Sequence, residues 1–312
     1  RAAHEDIGGT VEALADLDLI LARGRLAERW AATEPRLDPG GTLCLRGARH
    51  PLLLESRRRR RAETGAEDVV PIDVPLTATA PVLVVTGPNA GGKTVALKTV
   101  GLLALMAQAG LHIPASPDSA LPVFCGIYAD IGDEQSIAQD LSSFSAHISR
   151  LKTVLAAADR RSLVLLDEIG AGTDPGEGAA LGNAILDALA SRGAQVVATT
   201  HLDGIKAFAA QDPRIQNGAV EFDLDRMQPL YKLHIGFPGR SFAIDVASRL
   251  GIPSSIVQRA REFVGDTAAG VAALLDRLHA LESRRAEDAE RAAQERMAAR
   301  SLPGTFEPEW RR

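Results

Sequence analysis

Three short runs, Val82–Val85, Leu163–Leu166 and Val196–Ala198, are apolar at every position and end in polar residues or glycine. A strand with one wet face alternates polar and apolar side chains, so runs without alternation predict strands covered on both faces. Stretches with helical spacing lie between and around them: Thr94–Ala109 closed by Gly110, Ser143–Ala158, and Glu177–Ser191 followed by Gly193. Strand and helix in this rhythm predict an α/β fold, a mainly parallel sheet flanked by helices on both sides. Ala219–Asp223 and Leu230–Ile235 predict an edge hairpin, with helices following near Ser241–Leu250 and Ser254–Val264.

The flanks differ in character. Across residues 4–32, Val11, Leu14, Leu17, Ile20, Leu21 and Leu26 recur at steps of three and four, which predicts a helix. Pro35, Pro39, Gly40 and Gly41 interrupt it, and Thr42–Arg46 begins a strand-like alternation. The unbroken arginine run Arg57–Arg61 reads as an exposed loop between strands, with a nucleic-acid or partner contact as the alternative. Beyond Asp266, an apolar seam of Leu274, Leu278 and Leu281 gives way to Arg285 and Asp288, too short for a coiled coil. The expected division is a helical lever remnant over 1–41, the principal α/β domain over 42–266 and a charged helical tail or linker over 267–312.

Composition narrows the function. A chain of 312 residues that is 46% apolar can bury a proper core. Its 40 acidic against 35 basic residues give a net charge of −5, which excludes an indiscriminate binder of nucleic-acid backbone. Cys44 and Cys125 alone cannot build a disulfide scaffold and fit a reducing, cytoplasmic setting. The uncharged stretch Thr99–Pro117 is broken by Gln108, Gly110, His112 and Pro114, so it predicts a buried helix and turn, with no membrane span. A chain that opens on Arg1 in helical sequence is expected to be a fragment.

Gly87, Pro88, Asn89, Ala90, Gly91, Gly92, Lys93 and Thr94 fit the pattern G-x-x-x-x-G-K-[ST] between a buried strand and a helix. The glycines let successive N–H groups curl toward phosphate oxygens, and the helix start adds the positive end of its dipole. Lys93 neutralises terminal phosphate oxygens, and Thr94 offers a hydroxyl to Mg²⁺. These residues, with Val95 behind them, form the candidate nucleotide-binding set, and ATP with Mg²⁺ is the expected cofactor pair. Downstream, the run Leu163–Leu166 ends in Asp167 and Glu168. Asp167 is placed for the metal. Glu168, across the pleat, can polarise a water attacking the terminal phosphate. Val196–Ala198 ends in Thr199, Thr200 and His201, which sets the imidazole where it can contact that phosphate; the bland alternative is a structural histidine.

Thr86–Lys98, Leu166–Gly178 and Ala198–Leu202 together resemble the ATPase domain of the MutS family, a branch of the ABC-type ATPases. Gly172–Gly178, and threonine rather than serine after Lys93, are most similar to the bacterial paralogue MutS-two. The resemblance covers roughly Thr42–Val264, and Arg49, His50 and Pro51 match a strand entry common in MutS proteins. It implies a P-loop NTPase of ABC/MutS type that hydrolyses ATP, with Lys93, Glu168 and His201 catalytic and with Thr94 and Asp167 on the metal. It also implies that Leu141–Ser145 stands in the place of the ABC signature. Ser142, which from sequence alone is an ordinary helix cap, would then complete the site of a second subunit in trans, giving a homodimer with composite ATP sites. Asp130–Gln135 would sense nucleotide state, and Ala171–Asp174 would pass between the two sites.

Many MutS proteins stack adenine on an aromatic residue near the position of Val69, which here is aliphatic. Tyr231 is either the opposing face or a core or edge-strand residue, so base selectivity stays open. The implied partners are branched or recombining DNA, with suppression of recombination, and for some members collided ribosomes. Both would act through regions mostly outside this stretch, as would the family's Smr nuclease domain, since no Smr-type sequence follows Arg300. Alternatives are an ABC-type subunit driving a membrane partner and a non-hydrolytic, ATP-dependent dimer clamp.

Overall fold

The computed structural model describes residues 2–64, 68–88, 91–132, 140–224, 226–239 and 242–263. The three unalternating runs become the neighbouring central strands β4 (Val82–Thr86), β7 (Ser162–Leu166) and β8 (Gln195–Thr199), each buried at all five positions. With β6 (Gly126–Asp130), β9 (Ile215–Asp223) and β10 (Gln228–Ile235) they form a six-stranded sheet in the order β10-β9-β4-β8-β7-β6. Every pairing is parallel except β9–β10.

The pleat divides the core in two. Leu83, Val85, Leu163, Leu165 and Val197 face α3 (Lys93–Gln108), where Leu97, Val100 and Leu103 are fully buried. The same core takes in Leu43, Leu45, Val74 and Leu76 from a second sheet. That sheet runs β1 (Arg36–Leu37), β5 (Ala120–Leu121), β2 (Leu43–Ala48), β3 (Ile72–Leu76). Val82, Val84, Val164, Leu166, Val196 and Ala198 face the other way, onto α4 (Asp140–Ala157), α5 (Pro175–Ser191) and α6 (Asp203–Gln211). Each fully buried Leu or Val removes enough apolar surface to be worth about 1.5–3 kcal/mol, so two-sided burial explains why the strand sequences carry no polar alternation.

Two expectations change. The hairpin exists, but β9 begins at Ile215 and pairs along β4 from Ile215 to Ala219, so only β10 lies at the edge. Polar residues disguise that inner half: Gln216 Nε2 donates to the Pro75 and Ala80 carbonyls, and Asn217 Nδ2 donates to the Lys206 carbonyl at 3.1 Å. Arg57–Arg61, expected as a loop, lies in helix α2 (Pro51–Thr64). Arginine is a good helix former, and Pro51 suits a first helical position. Glu55 accepts from Arg29 and from Arg59 one turn on, while Arg58, Arg59 and Arg60 point to solvent and spread their repulsion.

The expected N-terminal helix is α1 (Ala2–Arg29), along which Val11, Leu14, Leu17, Ile20 and Leu21 are exposed. The chain divides into two compact units, residues 1–246 and 247–312. Helix α7 (Ala243–Arg249) spans that division, and the described part of the second unit contains helix α8 (254–263). No helix among the described residues is long and apolar enough to cross a membrane.

Candidate functional site

After Thr86 the chain cannot continue straight. Gly87 has φ 131°, the Gly91 amide donates back to the Pro88 carbonyl at 2.9 Å, and Gly92 caps α3 with φ 93°. A Cβ on Gly87 or Gly91 would come within 2.6 or 2.5 Å of Val220 Cγ2, and one on Gly92 within 2.9 Å of the Tyr231 ring. The loop is thus pressed against β9 and β10, and only glycine fits its ends. Lys93, 3% exposed, folds its side chain back so that Nζ donates to the Gly87 carbonyl at 2.7 Å. Burial pushes this ammonium's pKa down; Glu168 and Asp167 push it up, and Lys206 adds to the lowering.

The carboxyl ends of β7 and β8 meet the same helix start. Thr94 Oγ1 donates to Asp167 Oδ2 at 2.8 Å, and Thr199 Oγ1 donates to Asp167 Oδ1 at 2.5 Å. The Thr199 hydroxyl in turn accepts from the Glu168 amide at 2.8 Å. One carboxylate therefore ties α3, β7 and β8 together. Glu168 sits at φ 49°, a left-handed conformation that costs a non-glycine residue about 1–2 kcal/mol and is held here by the flanking hydrogen bonds. Behind it, a Cβ on Gly178 would lie 2.0 Å from the Gly170 carbonyl oxygen, so the loop after Glu168 rests directly on the first turn of α5. Asp174 caps that helix, accepting from the Gly176 and Glu177 amides.

At the neighbouring strand end, Asp130 is 4% exposed and pairs with His147 and Arg150 of α4, while its carbonyl accepts the Asp167 amide at 2.9 Å. Burial opposes ionisation of Asp130, but these two partners hold its carboxyl below the usual aspartate value.

Comparison with known proteins fits this geometry. A family model described as MutS domain V matches residues 83–267, more than half of the chain. The chain belongs to the MutS domain V family. It is also similar to proteins named Endonuclease MutS2: 52% identical to that of Thermomicrobium roseum, 47% to that of Pelotomaculum thermopropionicum and 49% to that of Halothermothrix orenii. These similarities cover 92%, 96% and 83% of this chain but only 36%, 37% and 31% of the relatives. The chain thus spans about a third of their length.

Within the MutS domain V match, the structure brings together Gly87, Gly91, Gly92, Lys93, Thr94, Asp167 and Glu168 at the edge formed by the carboxyl ends of the central strands. Pro88 closes the loop turn, and Val95 lies in the first turn of α3, 37% exposed. His201 follows β8 at the same edge with its side chain exposed. Tyr231 lies on β10 at φ 57°, where the register shifts between Pro229 and Leu233, with its ring against Gly92. Val69 lies outside the matched stretch and before β3; its carbonyl accepts from Arg49 Nε at 3.3 Å, with no hydrogen bond to the residues above. Asn89 and Ala90 fall outside the described residues, as does the Ser142 side chain. Ser142 lies within α4 as described, Asp140–Ala157, rather than in front of the helix.

The sequence marks Thr199 only as a polar strand end; what it misses is that this hydroxyl links Asp167 to Glu168. The signal was available, since a threonine ending a strand buried on both faces needs a partner. The donor set suits a hard divalent cation: a hydroxyl and a carboxylate 2.8 Å apart, both oxygen donors. Among the described residues no cluster of three or more His, Cys, Asp or Glu could hold a metal, so the ion that fits is one that keeps waters or phosphate oxygens as its other ligands.

Proposed function

We propose that residues 42–266 are a P-loop NTPase domain of ABC/MutS type that binds and hydrolyses ATP, preceded by a lever remnant over 1–41 and followed by a helical linker over 267–312. The observation that carries this reading is the hydrogen-bonded chain Thr94–Asp167–Thr199–Glu168, which joins the glycine loop to the two acidic strand ends. Phosphate oxygens are received by the loop amides and by Lys93. Its ammonium, desolvated and now bonded to a carbonyl, gains more from an anion than a solvated lysine would. Thr94 and Asp167 would hold Mg²⁺, which when bound neutralises charge on the phosphate oxygens. Glu168 orients water for in-line attack and takes its proton; His201 steadies the terminal phosphate. Positioning and charge neutralisation supply most of the acceleration, as expected for phosphoryl transfer. The Tyr231 ring beside Gly92 offers one stacking face for the base, with no aromatic partner at Val69.

The whole protein acts as a homodimer in which Ser142 of one copy completes the other's site. It works on branched or recombining DNA, or on collided ribosomes, through regions mostly outside this chain, and in a reducing cytoplasm where Cys44 and Cys125 stay thiols. No nuclease is proposed for residues 1–312. Phosphate release and nucleotide binding test the reading together. Glu168→Gln is expected to retain ATP and lose at least about a hundredfold in turnover, the usual scale of a lost general base. Lys93→Ala should lose ATP itself. Equal ATP binding by Lys93→Ala and the wild type would refute the site.

A further inference from the structure

The site as built leaves a second buried cation unused. Lys206 is the fourth residue of α6, its side chain 10% exposed, and its Nζ lies 2.7 Å from Asp203 Oδ1 in the first turn. Helical side chains tilt toward the helix N-terminus, and only Thr200, His201 and Leu202 separate α6 from the carboxyl end of β8. The ammonium is therefore carried back to the edge of the sheet that holds Lys93, Asp167 and Glu168. Its helix turn is fixed from below: the Lys206 carbonyl accepts from Asn217 on β9, and Asn217 pairs with Val84 of β4, three residues before Gly87 opens the loop.

Three features of this place bear on a positive charge. The group is desolvated and stands at the positive end of a helix dipole. It is also near enough to Lys93 to oppose protonation of that amine. Its compensation among the described residues is Asp203, whose side chain is 88% exposed and so largely screened by water. Packing alone would be better served by an uncharged residue at a position this buried. An anion arriving at Lys93 would relieve all three costs.

We propose that Lys206 is a second ammonium ligand of the terminal phosphate of a nucleoside triphosphate, held by Asp203 until that phosphate arrives. The proposal rests on the ATP reading given above and deepens it. Lys93 contacts the phosphates from the loop side, whereas Lys206 approaches from the β8–α6 side, next to the strand whose threonine holds the Glu168 amide. A diphosphate lacks the group that Lys206 would meet. Its contribution is therefore to discrimination between ATP and ADP rather than to binding in general.

Titration of the 312-residue chain with a non-hydrolysable ATP analogue and with ADP, each with Mg²⁺, tests this. Lys206→Met, which keeps the buried stem and removes the charge, should weaken the ATP analogue by about tenfold and ADP by less than about threefold, the scale of one charge-assisted hydrogen bond. Lys206→Arg should restore most of the preference, and Asp203→Asn, which releases the ammonium, should tighten the ATP analogue. A purely structural Lys206–Asp203 pair would instead lower the unfolding midpoint of the Met and Asn variants and leave the ATP-to-ADP ratio unmoved; that result overturns the proposal while leaving the ATP site intact. If the wild-type chain binds neither nucleotide, the function proposed above falls, and the role of Lys206 falls with it.

Discussion

Gly9 and Gly178 carry the same side chain and should answer alanine in opposite directions. A methyl at Gly9, on the exposed face of α1, meets nothing within 4 Å. Alanine there removes the entropic cost of a helical glycine and should raise stability by up to about 1 kcal/mol. A methyl at Gly178 lies 2.0 Å from a backbone oxygen of Gly170, which no rotamer change relieves. Alanine there should cost about 3 kcal/mol, at the upper end for overpacking, and should also disturb the loop that carries Glu168. Denaturant midpoints of the two variants measure the contrast directly; a Gly178→Ala protein as stable as the wild type would mean that the loop does not rest on α5 in solution. Sequence made the glycines of the phosphate loop legible, because their spacing to Lys93 is fixed by chemistry. Gly178 was visible only through the family motif. Its physical reason, a close approach by a backbone eight residues away, exists only in three dimensions.

At the scale of elements, the central strands were legible because burial on both faces leaves a simple record, apolar at every position. β9 was only half legible, since Gln216 and Asn217 are buried polar residues whose partners lie on distant segments. Arg57–Arg61 was misread because a charge run says that a segment is solvated but not whether it is a helix or a loop. Asp130 entered only through the family resemblance, as the start of the stretch Asp130–Gln135, of which 133–135 lie outside the described residues; its tie to His147 and Arg150 joins residues 17 and 20 positions apart and left no local pattern. That tie has a measurable pH signature. The folded Asp130 carboxyl titrates below its ordinary value, so its stabilisation is complete above about pH 4, the unfolded value, and is lost as the pH falls through the lower folded one. Arg150 is half exposed and screened, which keeps the expected loss in Asp130→Asn to about 2 kcal/mol at pH 7, under the 3–5 kcal/mol of a fully buried pair. The gap between wild type and variant should hold from pH 7 down to about pH 4 and narrow only as unfolding is measured below it. A gap independent of pH would mean that the carboxylate charge is not what holds α4 to β6.

For the whole molecule, two surfaces could bring copies together, and they obey different physics. On the composite-site reading proposed above, the surface bearing Lys93 and Glu168 would acquire its complement only when a triphosphate supplies charge between two copies. The stripe Val11, Leu14, Leu17, Leu21 on α1 is apolar, 47–60% exposed, and would associate through burial whatever nucleotide is present. Sedimentation separates them. If composite sites form, the Glu168→Gln chain should sediment as a dimer with ATP and Mg²⁺ and as a monomer with ADP, and rising salt should weaken the dimer because charges near the surface are screened. Association through α1 would be indifferent to nucleotide, would be strengthened by sulfate, and would vanish in a Leu14→Glu, Leu17→Glu double variant. Should that double variant also abolish a nucleotide-dependent dimer, α1 and the ATP edge would be parts of one interface. A monomer in every nucleotide state would leave Ser142 with no partner site to complete, and hydrolysis would then have to proceed within a single copy, on Lys93, Thr94, Asp167, Glu168 and His201.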